Sequence, residues 1–174
     1  MASSGMARYV ALLRAVNVGG TGKLPMTELK AMCAEAGFTR IETYIASGNV
    51  MFDSKLSSAN VKSALEEKLR TYAGKPVGVA VRTAAEMQAV LDGNPFKREP
   101  PNYTVAIFLD EHPPADALVG ALGKTNEEMR LGKREIYVHY PTGMGRSKLK
   151  IQAAMDGTAR NMNTIAKLVD IALG

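Results

Sequence analysis

The sequence predicts an α+β fold in two tandem lobes, each ordered strand-helix-strand-strand-helix-strand and followed by an extra helix. Three observations carry this. Short apolar runs alternate with amphipathic stretches of helical period over residues 8–93. A segment with three prolines, "NPFKREPPN" (94–102), then interrupts the pattern. The same order of elements restarts over 103–174 with little identity between the halves, which reads as an internal duplication.

In the first half, "RYVALL" (8–13) is a short apolar run closed by turn residues, hence a buried strand. "PMTELKAMCAEAG" is a helix: Pro25 suits its first turn, Met26, Leu29, Cys33 and Ala36 share one face, and Gly37 stops it. "RIETYIA" and "NVMFD" are strands joined by a tight turn at Ser47, Gly48 and Asn49. "SANVKSALEEKLRTYAG" is a helix with Val61, Leu65, Leu69 and Tyr72 inward, and "KPVGVAVR" is a strand. "TAAEMQAVLDG" opens with a capping box, Thr83 and Glu86, and closes on Gly93. The first six elements give the ferredoxin-like order.

The second half reads likewise. "YTVAIFL" is a strand and "PADALVGALG" a helix. "EEMRLGKREIYVHYP" is a hairpin turning near Gly132 and Lys133. "GRSKLKIQAAMDG" is a helix, "TARNM" a short strand and "NTIAKLVDIAL" a final helix. The domain organisation expected is a flexible leader over 1–7, a first lobe over 8–93, a Pro-rich linker over 94–102 and a second lobe over 103–174.

The chain has 174 residues, 46% apolar and 22% charged, the composition of a globular protein. No apolar run approaches the ~20 residues that span a membrane, and "MASSGMARYV" lacks the apolar core of a signal peptide. One cysteine, Cys33, excludes an internal disulfide and any cysteine-rich zinc site, and points to the cytoplasm. The net charge of +5 suits an anionic partner without requiring one.

Chemistry-bearing motifs are few. "RAVNVGGTGK" (14–23) follows the first strand and resembles a phosphate loop. A P-loop needs a glycine five residues before the Gly-Lys pair and a Ser or Thr after it. Asn17 and Leu24 stand there instead, so this is no NTPase loop. Gly20 and Gly22 also lack the third glycine of a dinucleotide fingerprint. What remains is an anion cradle: backbone N–H groups of Gly19, Gly20 and Gly22 with Arg14, Lys23 and the Asn17 amide. The bland reading is a connection whose glycines only permit a turn.

"TGMGRSKLK" (142–150) is a second candidate, since a helix starting there would point unpaired N–H groups at an anion. Arg146, Ser147 and Lys148 would reinforce it; the bland reading is a capped helix start with solvated cations. In "TARNMNT" (158–164), Asn161, Asn163 or Thr164 serves as a helix cap, with Arg160 beside it. Topology puts the first loop and the Ser47–Asn49 turn at one end of the first lobe. It gathers Arg146, Ser147 and Lys148 with Arg160 and Asn161 in the second.

His112 and His139 have no ligand-spaced partners, and no HExxH, GxSxG or CxxC occurs. Neither a metal nor a cofactor is implied. Cys33 on an apolar helix face is a buried thiol by default. The aromatic residues along the strands lack the RNP pattern of a base-stacking sheet, so core packing is their reading.

Together "ALLRAVNVGG", "TYIASGNVMF", "NPF", "GMGRSKL" and "TARNMNT" resemble, in order and spacing, the DUF1697 family of small bacterial proteins of unknown function. The resemblance runs from Tyr9 to Leu173 and implies duplicated α+β lobes. It supplies no activity. Members commonly read Arg-Gly-Ile-Asn-Val-Gly-Gly at the first motif, where this chain has Ala15 and Val16. The last motif commonly carries Trp between its asparagines, where this chain has Met162.

The leading expectation is a binding protein for a phosphate-bearing ligand, nucleotide or nucleic acid. Arg14, Lys23, Arg146 and Lys148 would contact phosphate, and Asn17, Asn49 and Asn161 would orient the ligand. One alternative is an enzyme acting on a small phosphorylated or anionic metabolite through Ser47 or Ser147, although neither has a visible activating base. The other is a structural or interaction protein, a homodimer through a sheet edge being its simplest form.

Overall fold

The computed structural model describes residues 5–14, 24–45 and 48–174. The chain divides into two compact units, Met1–Met87 with Leu168–Gly174, and Gln88–Lys167.

The first unit holds β1 (Ala7–Leu13), α1 (Met26–Glu35), β2 (Thr39–Thr43), β3 (Asn49–Ser54), α2 (Ser58–Ala73) and β4 (Val79–Thr83). The strands form one antiparallel sheet in the order β2-β3-β1-β4. Alternation along the strands sends Tyr9, Ala11, Leu13, Val50, Phe52, Val79 and Val81 into a core with Leu29 and Cys33 of α1 and Val61, Leu65 and Leu69 of α2. Phe38 stacks on Phe52 with centroids 4.2 Å apart. Burial raises the Cys33 thiol pKa to about 12, as expected for a packing thiol. Tyr72, assigned inward by its spacing, is half exposed, so the buried face of α2 is Val61, Leu65 and Leu69.

Helix ends are closed by local caps. Ser57 accepts from the Asn60 N–H, and Gly74 closes α2 at φ +74°. The capping box of α3 (Ala84–Asp92) is reciprocal: Glu86 N–H donates to Thr83 Oγ1 at 3.1 Å, and Thr83 N–H donates to Glu86 Oε1 at 2.8 Å.

The second unit holds β5 (Thr104–Phe108), β6 (Glu128–Leu131), β7 (Glu135–His139) and β8 (Thr158–Asn161), in the order β6-β7-β5-β8. Substituting each strand by its counterpart four earlier reproduces the first sheet, so the two lobes share the ferredoxin-like topology. The final helix α4 (Met162–Leu173) begins in this unit and ends in the first. Met162 is buried, so here it fills packing space.

Two expected helices of the second lobe are absent. Over 114–121 the chain runs in successive turns, with N–H donations from Ala117 to Pro114, Val119 to Asp116 and Ala121 to Leu118, and Leu122 then enters a bridge. Val119 and Leu122 are exposed, so no continuous apolar stripe supports a helix there. Residues 145–157 are also not helical. A 3-10 turn at Met144–Arg146 leads into extended backbone, then a second 3-10 turn at Gln152–Ala154. Leu122 and Lys150 exchange both backbone hydrogen bonds, at 2.9 and 2.8 Å. "KLKI" explains this: Lys148 and Lys150 face out while Leu149 and Ile151 pack inward, which is period two.

The Pro-rich segment is docked on the second sheet. Phe96 is buried with its ring against His139 at 6.0 Å, Arg130 lies 5.8 Å over it, and Glu99 reaches His139 Nε2 at 3.4 Å. Among the described residues no helix is long and apolar enough to cross a membrane.

Candidate functional site

Antiparallel pairing fixes what meets at the end of the first sheet. β1 ends opposite the start of both neighbours, Leu12 facing Asn49 and Leu13 facing Val79. Beyond the ladder the Leu13 N–H donates to the Gly48 carbonyl at 2.9 Å, and the Arg14 N–H to the Gly78 carbonyl at 2.9 Å. Arg14, Gly48 of the β2–β3 turn and the lead-in to β4 therefore converge; the topology reading put the first two at one end and did not include the third. A Cβ added to Gly78 would meet Arg14 Cβ and Cδ at 3.8 Å, so the arginine stem lies across this glycine.

Asn49 is fully buried, and its amide donates to the Tyr44 carbonyl at 3.0 Å. Its role here is to hold the turn. Ile45 in that turn sits at φ +50° and is half exposed. A β-branched residue in the left-handed region is strained, and such strain gathers at functional loops. Asn17, Gly19, Gly20, Lys23 and Ser47 lie outside the described residues.

The second cluster is arranged differently from the expectation. No helix begins at Ser147, so no helix N-terminus faces an anion there. The Ser147 hydroxyl donates to Glu127 and accepts from the Leu149 N–H at 3.2 Å. Glu127 is buried and also accepts from the Thr125 N–H at 2.7 Å. The hydrogen bond from Ser147, then that from Thr125, lowers its pKa to about 2 against the opposing effect of burial. Glu127 escaped the sequence reading because its partner lies twenty residues away; only the "KLKI" alternation hinted at a ladder bringing them together.

Arg160 is buried, donates to Thr158 Oγ1 at 2.7 Å and to the Ala159 carbonyl at 2.9 Å, and has its pKa lowered to about 10 by desolvation. Asn161 Oδ1 accepts from the Thr164 N–H at 2.9 Å, capping α4. Ser147 is anchored beside β6, whereas Arg160 and Asn161 lie on β8, the opposite edge strand. Arg146 and Lys148 are exposed.

His139 joins Glu99 and Thr104 in a carboxylate–imidazole–hydroxyl line. Thr104 Oγ1 lies 3.0 Å from His139 Nδ1 and 3.2 Å from the Pro100 carbonyl, and it is fully buried. A nucleophile must reach its substrate, so this line is structural and ties the Pro-rich segment to β5 and β7. His112 is pinned to the Lys133 carbonyl at 2.6 Å. Among the described residues no group of three or more His, Cys, Asp or Glu is placed to hold a metal ion.

Fold and site together define a duplicated α+β protein, two ferredoxin-like lobes with a polar, arginine-bearing sheet end on the first. The model of a family described as "Protein of unknown function (DUF1697)" matches residues 6–137, and the chain belongs to that family. A solved structure, the conserved bacterial protein SP0830 from Streptococcus pneumoniae, is similar at 26% identity and a TM-score of 0.79, over 96% of this chain and 99% of that one. No curated protein matches this sequence.

Proposed function

We propose that this protein binds a phosphate-bearing ligand, a nucleotide or nucleic acid, at the end of the first sheet, and does so in the cytoplasm. The observation that carries this reading is the paired donation of Leu13 to Gly48 and of Arg14 to Gly78. It sets the Arg14 backbone beside two glycine-bearing segments, its side-chain stem against Gly78, at the point where the "RAVNVGG" stretch departs. Arginine offers a planar fork of donors matched to phosphate oxygens. The net charge of +5 favours an anionic ligand, and a single cysteine fits a reducing compartment.

The readings as enzyme or as edge-pairing protein draw less support. The Ser147 hydroxyl donates to Glu127, a carboxylate whose pKa of about 2 makes it too weak a base to activate a nucleophile. The outer strand β2 carries a register shift between Thr39 and Glu42, with Arg40 at φ +49° and two charged side chains, features that blunt an edge against pairing.

Calorimetric titration with pyrophosphate, the four ribonucleoside monophosphates and a single-stranded oligonucleotide, at several salt concentrations, tests the reading. At least one probe binds, and Arg14→Ala weakens it by about 1.5–3 kcal/mol, the worth of a hydrogen bond to a charged group. Binding that is indifferent to Arg14→Ala, or no binding by any probe, refutes it.

A further inference from the structure

Beside Gly78 opens a cleft of about 610 Å³, lined by Ser63, Glu66, Glu67 and Arg70 of α2 and by Pro76–Gly78. Ser63, Glu67 and Arg70 recur at spacings of four and three, so they form one stripe along the helix. Glu66 is occupied within the fold, accepting from Lys62 and from the Val79 N–H at 3.1 Å. Among the described residues no ion pair or hydrogen bond engages the side chains of Ser63, Glu67 or Arg70. A solvated helix face would account for such residues. It would not account for their lining a cleft bordered by the glycine over which Arg14 lies.

The volume falls within the roughly 300–1,000 Å³ of small-molecule sites, whereas a polymer follows an extended groove. The walls divide by chemistry. Arg70 in the lining, and Arg14 whose stem lies across the bordering Gly78, suit a phosphate. Glu67 accepts from hydroxyl or ring N–H donors, and Ser63 both donates and accepts.

We propose that this cleft holds the nucleoside body of a mononucleotide whose phosphate lies against Arg14 and Arg70. The proposal rests on the phosphate-binding reading above and narrows it from nucleic acid to a mononucleotide.

The test is calorimetric titration of the full chain with inorganic phosphate, the four ribonucleoside monophosphates, glucose 6-phosphate and a single-stranded oligonucleotide. It uses wild type, Arg14→Ala, Ser63→Ala and Glu67→Gln. The substituted side chains are exposed, and circular dichroism checks that each variant folds. The expected result is that one mononucleotide binds and Glu67→Gln weakens it roughly tenfold, with a smaller loss for Ser63→Ala. Inorganic phosphate responds to Arg14→Ala and not to Glu67→Gln. If mononucleotide affinity falls with Arg14→Ala but is unchanged by Glu67→Gln and Ser63→Ala, the cleft assignment is overturned while the phosphate reading stands. The same holds if only the oligonucleotide binds. Tighter binding of glucose 6-phosphate than of every mononucleotide overturns the nucleoside assignment. Silence from all probes removes both the proposal and the reading beneath it.

Discussion

Gly123→Ala tests the ladder that stands where the sequence reading expected helices. Gly123 has φ +71°, and a Cβ there would lie 2.1 Å from the Lys148 carbonyl oxygen and 2.7 Å from its carbon. Two costs follow. Alanine in the left-handed region costs about 1–2 kcal/mol. The overlap is with backbone, so residues 122–123 and 148–150 must separate, which endangers the two Leu122–Lys150 hydrogen bonds at about 0.5–1.5 kcal/mol each. The expected destabilisation is about 2–5 kcal/mol. Gly145→Ala is the control: a Cβ there meets nothing within 4 Å, and its φ is not left-handed, so the change stays within about 0.5 kcal/mol. Urea unfolding followed by far-ultraviolet circular dichroism and by tyrosine fluorescence reads both variants. Equal midpoints for the two would refute the close approach of Gly123 to Lys148, and with it the extended path of 147–151.

Ser147→Ala removes the largest influence holding the Glu127 pKa near 2. A carboxyl whose folded pKa is depressed contributes stability above its unfolded value, lost as pH falls through the folded one. The stability gap between wild type and Ser147→Ala is therefore full above about pH 4.5 and closes toward pH 2, and NMR titration of the Glu127 carboxyl finds its midpoint raised in the variant. The pair Arg146→Ala and Lys148→Ala leaves the melting temperature nearly unchanged, within about 0.5 kcal/mol, because both side chains are exposed; a large drop would give these cations a structural role. Cys33 resists alkylation at pH 8 in the native protein and reacts on unfolding, since burial suppresses the thiolate; rapid native labelling would contradict its place in the core.

The first lobe was largely legible because its signals are local. A capping box, Gly37 as a helix stop and unbroken helical spacing each specify their element without distant help. The second lobe was harder to read. "PADALVGALG" has helical composition, but Val119 and Leu122 have no buried face to join, and composition cannot show that. "SKLKIQAA" offers both periods, and the winning one depends on Leu122, a partner almost thirty residues earlier. The convergence of Arg14 with the β2–β3 turn followed from topology alone. The fate of Arg160 did not, because a buried arginine and an exposed one look alike in a sequence. The cleft beside Gly78 was invisible for a similar reason: Ser63, Glu67 and Arg70 read as the solvated side of α2 until the lead-in to β4 is laid beside them.

The first unit is assembled from two distant stretches of chain, Met1–Met87 and Leu168–Gly174. During synthesis its sheet and first two helices emerge early, yet a ribosome must translate the whole second unit before residues 168–174 become available. The earlier lobe therefore waits, lacking one of its parts, while the later one is made. A gene cut at the prolines would not yield two independent halves; the amino-terminal fragment would lack Leu168 and Val169, side chains buried in the intact chain. Supplying residues 162–174 in trans, as a peptide, should complete such a fragment.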